Sequence, residues 1–551
     1  MVLKKQETYV GLFFYGILIF FTGLVYITGL FPDGIVDSAK YAAISRHIYE
    51  SGDLIHLKIH GEPYMHKPPL LFWMSAASYS IFGISMFAYK LPNLIYSLLG
   101  IFSLYKLGTL LYGRREGLTA AIMYSISVAV ILMQADVHTD LLLTTNIIFG
   151  IWQIMEYLEN KKVRNFILGF AGFGLAMISK GSLGLAIPIF AIGGYLALNK
   201  YYKALFSLKW LAGIPIILLI TYPALKGVVD QFGAEGLRFY FWANNIDRIK
   251  GDYTQGQHDY FFVIHTLIYF FLPWSFYSFA AFIKDVRIWK KSGYKSENKK
   301  DALSYSVIVI LALIVSVSSQ QAPHYLLPLV PFVSILTARF IIDISDSDQF
   351  RKTYEWMLFL RTFVVIALSL ASLLLITFLF PNHNLIIWIT LLIMLSLLAL
   401  SFVYLKSKIN KLIIPPAIAM LINGFTFNTV YMPEVPEYHG HIQASYLFNK
   451  LAPDDAKLNT YDYLQFETYF YPKNVSRIVY PENLDKALTD TPSWFITSEK
   501  GYKEIHEKKK SSLSVIHVFP HKRVTNITLD FLNPATRDNN VEKVYLLKID
   551  N

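Results

Sequence analysis

Asp37, Lys67 and Asp140 are the residues of this chain whose types and surroundings best suit chemistry at a membrane surface. Asp37 follows a long apolar run by only a few residues, so its carboxylate belongs close to the lipid headgroups. A carboxylate at that low-dielectric boundary has a raised proton affinity and can take a proton from a hydroxyl. Asp140 opens another apolar run, where a helix N-terminus favours the ionised form, a placement that equally suits a plain helix cap. Lys67, in His66-Lys67-Pro68-Pro69, stands where a loop meets a helix. Its ammonium can pair with a lipid phosphate or simply reach the interface. Lys180-Gly181 poses the same choice and opposes the tendency of cations to stay cytoplasmic. Asp136 and His138 read as turn residues, with His138 solvated, and the basic, aromatic segment 238–251 reads as an interface belt or an anion site. His66 and His258 form a candidate pair for a divalent metal such as Zn, Mg or Mn, although no HExxH spacing accompanies them.

The elements that position these groups follow from composition. Of 551 residues, 54% are hydrophobic and 16% charged, which fits a chain crossing a membrane many times and not a string of soluble domains. The excess of 50 Lys and Arg over 39 Asp and Glu then reflects cytoplasmic loops, not nucleic-acid binding. With no cysteine, disulfides, thiolate-bound metals and thiol nucleophiles are excluded, so any metal rests on His, Asp or Glu. No nucleotide-binding pattern is present. Apolar runs at 8–30, 91–111, 118–133, 141–158, 166–178, 183–198, 208–225, 261–283, 303–318, 326–342, 356–380, 385–405 and 412–431 predict about thirteen transmembrane helices. Lys and Arg recur in every second connection, which puts the N-terminus inside and the C-terminus outside. Acids and histidines then collect on the outer side, with no comparable acidic cluster opposite.

That count holds only if 68–83 lies along the interface instead of crossing, as its sixteen residues and two leading prolines suggest. Beyond Pro433 and Pro436 the composition turns soluble. Short β-rich runs at 476–480, 493–497, 513–519 and 541–548 alternate with polar helical stretches such as 483–488. The expected organisation is an all-α transmembrane domain over 1–432 and a small extracytoplasmic α/β domain over 433–551.

Motif order adds a resemblance. Asp37-Ser-Ala-Lys-Tyr41, Ser51-Gly-Asp-Leu54, His66-Lys-Pro-Pro-Leu70, Trp73, Phe82-Gly83 and Lys90-Leu-Pro92 come first; Asp140, Ser179-Lys180-Gly181, Gln257-His258, Leu272-Pro-Trp-Ser275 and Pro323-His-Tyr-Leu-Leu-Pro328 follow. Over roughly the first 330 residues this order resembles the aminoarabinose and protein-mannosyl transferases, C-type glycosyltransferases of the bacterial inner membrane and related membranes. The resemblance implies an inverting transfer of a sugar from a polyprenyl-phosphate (undecaprenyl-phosphate) donor, without a nucleotide cofactor, to lipid A, another envelope glycan or a protein. It puts Asp37 and Asp140 at the catalytic acidic positions, and Lys67, Lys180, Arg248 and Tyr325 around the donor phosphate. His258 matches a residue associated with a divalent metal. Two departures stand out: Asp37-Ser38 replaces a common Asp-Glu, and His66 replaces a glutamate before Lys-Pro. A lipid-sugar flippase or transporter is the alternative, but the long polar first loop and the lack of an internal repeat count against it.

Overall fold

In hydrocarbon the backbone must bond internally, so every apolar run is expected to be helical. In the computed structural model, which describes residues 2–242, 259–292, 299–462, 465–474, 476–490, 492–509, 511–523 and 527–550, each of them is. Among the described residues eight helices are long and apolar enough to cross a membrane, and a ninth arises if Arg114–Ser125 and Val128–Ala135, bent by 52°, form one span. The bend has a local cause: the Ser127 hydroxyl accepts from the Val130 N–H and starts a new helix. The remaining four expected spans are shorter or interrupted helices at Val163–Lys180, Leu183–Leu198, Asp301–Val317 and the pair Phe262–Phe270 and Ser275–Lys291. Pro323–Asp346 is central, with 89% of its apolar window buried, whereas Leu385–Tyr404, at 22%, turns its side chains outward to lipid.

Leu70–Phe82 has thirteen residues. At 1.5 Å per residue it reaches only about 20 Å, short of a hydrocarbon core of about 30 Å. Its Leu71, Phe72 and Tyr79 are buried in one apolar cluster with Tyr41, Ile44 and Ile48 of Asp37–Ser51, so the first loop is a packed helical layer.

The C-terminal unit carries a five-stranded sheet in the order Arg477–Val479, Leu458–Tyr461, Ser493–Ser498, Glu542–Ile549, Leu513–His521. The first three strands are parallel and the last two join antiparallel. Trp494 and Ile496 pack with Phe448 on one face, and Phe495 packs with Ile505 on the other. Burial on both faces explains why this strand reads as a continuous apolar run without alternation. The strand Leu458–Tyr461 was not expected from the sequence.

At the end of the bundle away from Asp140, the Arg339 guanidinium bridges Asp285 and Asp301. Tyr305 donates to Asp285 at 2.6 Å and Tyr112 donates to Asp301. This corrects the expectation that acids cluster on one side only. Removing Arg339 strips both buried carboxylates of their ion-pair partner. Arg339→Met is therefore expected to cost about 3–5 kcal/mol of stability, read as a fall in the melting temperature of the detergent-solubilised protein. An unchanged melting temperature would show that the network contributes nothing.

Candidate active site

Asp140 and Lys180 meet because of chain geometry. Thr139–Asn160 and Val163–Lys180 form an antiparallel hairpin, so a residue near the start of the first helix lies beside one near the end of the second. Glycines let the two helices approach closely: a Cβ on Gly172 would lie 3.0 Å from the Gly150 Cα. At the open end the Lys180 ammonium donates to the Asp140 carboxylate and sits 4.3 Å from the Tyr325 ring centroid. Capping does not explain Asp140, because the cap position falls to His138 and no side chain bonds there.

Lys67 lines the same cavity as Asp140, Lys180 and Tyr325. Leu143, Leu183, Ile187, Leu311, Ile314 and Val315 form its apolar wall. Lys67 also acts electrostatically on Asp37, the first residue of the Asp37–Ser51 helix. Lys40, one turn on, pairs with Asp37. Burial works to raise the Asp37 pKa, but Lys40, then His138 and Lys67, outweigh it and hold the carboxyl below its ordinary value.

His138 is not solvated, contrary to expectation: its side chain is only 14% exposed. One ring nitrogen, Nε2, lies 3.2 Å from Asp136 Oδ2, and the ring stacks on His324 with centroids 5.0 Å apart. Burial lowers the His138 pKa, but Asp136, then Asp140 and Asp37, more than offset it and raise it above the ordinary value. His138, Asp140 and His324 each offer a ligand atom, all within 4.8 Å of one another, and are the candidate metal-binding group among the described residues.

Five of the eight residues singled out from the sequence therefore share one region: Asp37, Lys67, Asp140, Lys180 and Tyr325. His66 packs its ring against Tyr64 and Phe239 and is not part of the metal-capable group. Arg248 and His258 lie outside the described residues. Sequence reasoning gave Lys40, His138 and His324 no site role. The Asp37/Lys40 spacing of one helical turn was a usable signal for the first, while the two imidazoles meet only through tertiary packing.

Residues 66–226 match the family described as dolichyl-phosphate-mannose-protein mannosyltransferase. An uncharacterized protein of Aquifex aeolicus is 25% identical over 80% of this chain and 82% of its own length. An undecaprenyl phosphate-α-4-amino-4-deoxy-L-arabinose arabinosyl transferase of Proteus mirabilis is 24% identical over 56% of this chain and 55% of its own length. The chain thus spans little more than half the length of the arabinosyl transferases it matches. The crystal structure of ArnT from Cupriavidus metallidurans bound to undecaprenyl phosphate superposes with a TM-score of 0.75 at 15% identity, covering 97% of both chains. The chain has the C-type glycosyltransferase fold. Its matches lie among the aminoarabinose and protein mannosyl transferases, and its many apolar helices make it a membrane protein of many spans. The stretch that matches the mannosyltransferase family contains Lys67, Asp140 and Lys180, while Asp37 and Tyr325 lie outside it.

Proposed function

We propose that this chain is an inverting glycosyltransferase that moves a sugar from a polyprenyl-phosphate donor to an acceptor hydroxyl at the outer membrane face. The observation that carries this reading is the cavity itself: two lysines at its polar end continue into an aliphatic wall, which suits an anionic headgroup on an isoprenoid tail. At about 100 Å³ it has room for a phosphate but not for a whole donor, so sugar and tail extend beyond it. The sugar C1–O bond to phosphate breaks while the acceptor oxygen bonds C1 from the opposite side, and the acceptor proton passes to a carboxylate. Lys67 and Lys180 stabilise the charge that grows on the leaving phosphate. Both acids pair with a lysine, but Asp37 is the better base because its side chain is 38% exposed, whereas that of Asp140 is 2% exposed. Asp140 then orients Lys180. The solvated outer side and the N-terminus inside follow the Lys and Arg pattern, and residues of the C-terminal unit contact the turn and helix that carry Asp37.

The test is turnover of undecaprenyl-phosphate aminoarabinose or mannose by the purified protein, with released undecaprenyl phosphate detected by mass spectrometry. Movement of the lipid-linked sugar across a bilayer without cleavage would support a flippase instead. The Arg339 network, which ties three helices together at the opposite end, argues against such a path.

Because Lys40 holds the Asp37 carboxyl low, Lys40→Met lets burial raise its pKa. The acid limb of the pH–kcat/KM profile is then expected to shift to higher pH, since Asp37 must be ionised to accept a proton. An unmoved acid limb would remove Asp37 as the group that titrates there.

Two imidazoles and a carboxylate are a donor set suited to zinc, and His138, Asp140 and His324 are close enough to supply it. A bound ion would add positive charge beside the phosphate, with Asp140 shared between it and Lys180. Calorimetry with Zn²⁺ is expected to show one site that His324→Ala weakens by at least about tenfold. Equal binding by the variant would mean that the group holds no metal.

A further inference from the structure

The helix that begins with Asp37 has no conventional start. Its cap residue is Val36, which offers no side-chain acceptor, and Ala39 stands where a capping box would place a glutamate. Val36 also has φ 51°, a left-handed conformation that costs a β-branched residue free energy and persists only when its surroundings enforce it. The missing acid comes from the C-terminal unit. Glu467 Oε1 accepts the Val36 N–H at 2.6 Å across 431 residues of sequence. Glu467 is 1% exposed, and its second oxygen has no hydrogen-bond partner among the described residues. Burying a carboxylate in this way is unfavourable, and the bond to Val36 is what it secures.

The rest of the turn is gripped from both sides. Tyr471 donates to the Gly34 carbonyl at 2.7 Å, and Tyr446 donates to Asp33 at 2.6 Å. Lys90 donates to the Pro32 carbonyl at 2.9 Å from below. Further along the same helix, Arg46 donates to the carbonyls of Phe470, Pro472 and Lys473. Among the described residues, Glu467 supplies the side-chain hydrogen bond to the strained residue itself, whose carbonyl accepts from the Lys40 N–H within the helix. We infer that Glu467 is a positioning residue: through Val36 it sets where the Asp37 carboxylate sits, and the C-terminal unit is thereby part of the active site. The inference rests on the proposed role of Asp37.

Two measurements on full-length protein test it. Hydrogen exchange of the peptide containing 33–40 is expected to be about tenfold or more faster at Val36 in Glu467→Ala and near wild type in Glu467→Gln, whose side-chain carbonyl still accepts. In the donor-turnover assay, Glu467→Ala is expected to lower kcat by about 100-fold, the scale of a misplacement near 1 Å, with donor KM little changed. Adding Val36→Gly, which removes the strain, is expected to recover part of that kcat, an effect a merely structural loss would not show. Should Glu467→Ala fold poorly, Tyr471→Phe, which loses the hydroxyl that donates to Gly34, is expected to move exchange and kcat in the same directions by less. Unchanged exchange overturns the clamp, and faster exchange with unchanged kcat overturns the positioning role. If the wild-type protein shows no turnover, the proposed function fails, while the exchange comparison still decides whether Glu467 holds Val36.

Discussion

Asp37→Asn is expected to turn over the lipid-linked donor about 10²–10⁴-fold more slowly than wild type, the range associated with loss of a general base. The substitution keeps shape and hydrogen-bonding length but removes proton-accepting capacity. Donor KM should hardly move, because the phosphate is held by cations elsewhere in the site. The pairing with Lys40 makes the prediction sharper. It holds the carboxyl below its ordinary value, so the wild type presents a carboxylate that the amide cannot imitate. A variant within a few-fold of wild type would transfer the role to Asp140 or to an acceptor that arrives already ionised.

Lys67→Met should rank next, with kcat lower by about 10²–10³-fold, as expected for removing one preorganised donor from a developing oxyanion. Methionine preserves the length of the side chain and its apolar contacts, so the change isolates the charge. Lys67 faces the cavity from the first loop and Lys180 from the hairpin, where it pairs with Asp140. The two lysines are therefore not interchangeable. A second effect accompanies Lys67→Met. Lys67 is one of the charges holding down the Asp37 pKa, so the residual activity should lose its acid side at higher pH. Single-turnover kinetics separates this from weakened donor binding, and equal losses in Lys67→Met and Lys67→Arg would show that position, not charge, is what counts.

The sequence exposed the helices well because lipid forces a backbone to satisfy itself, leaving length and apolarity as the main variables. It did less well where a run contains its own interruption. The stretch 261–283 reads as one span but is broken between Phe270 and Ser275. Within the site, Asp37, Lys67 and Asp140 were visible as ionisable residues in unlikely places. The Asp140–Lys180 pair was also within reach, since both lie the same distance from the turn at Asn160 in an antiparallel hairpin. Arg339, Asp285 and Asp301 were not, because nothing local to three separate helices announces that their ends converge. Strand Leu458–Tyr461 was missed for a similar reason: Asn459 and Thr460 look polar, yet all four positions are buried between neighbouring strands.

Glu467 follows Val36 by 431 residues, and that distance sets a timetable for the ribosome. At about 5–20 residues per second, the nascent chain waits roughly 20–90 s between making the loop and making the glutamate that fixes it. During that interval the early helices can already be inserted while the turn before Asp37 is unset. A prematurely terminated product that stops before the sheet would keep its membrane helices and lack the Glu467 contact to Val36.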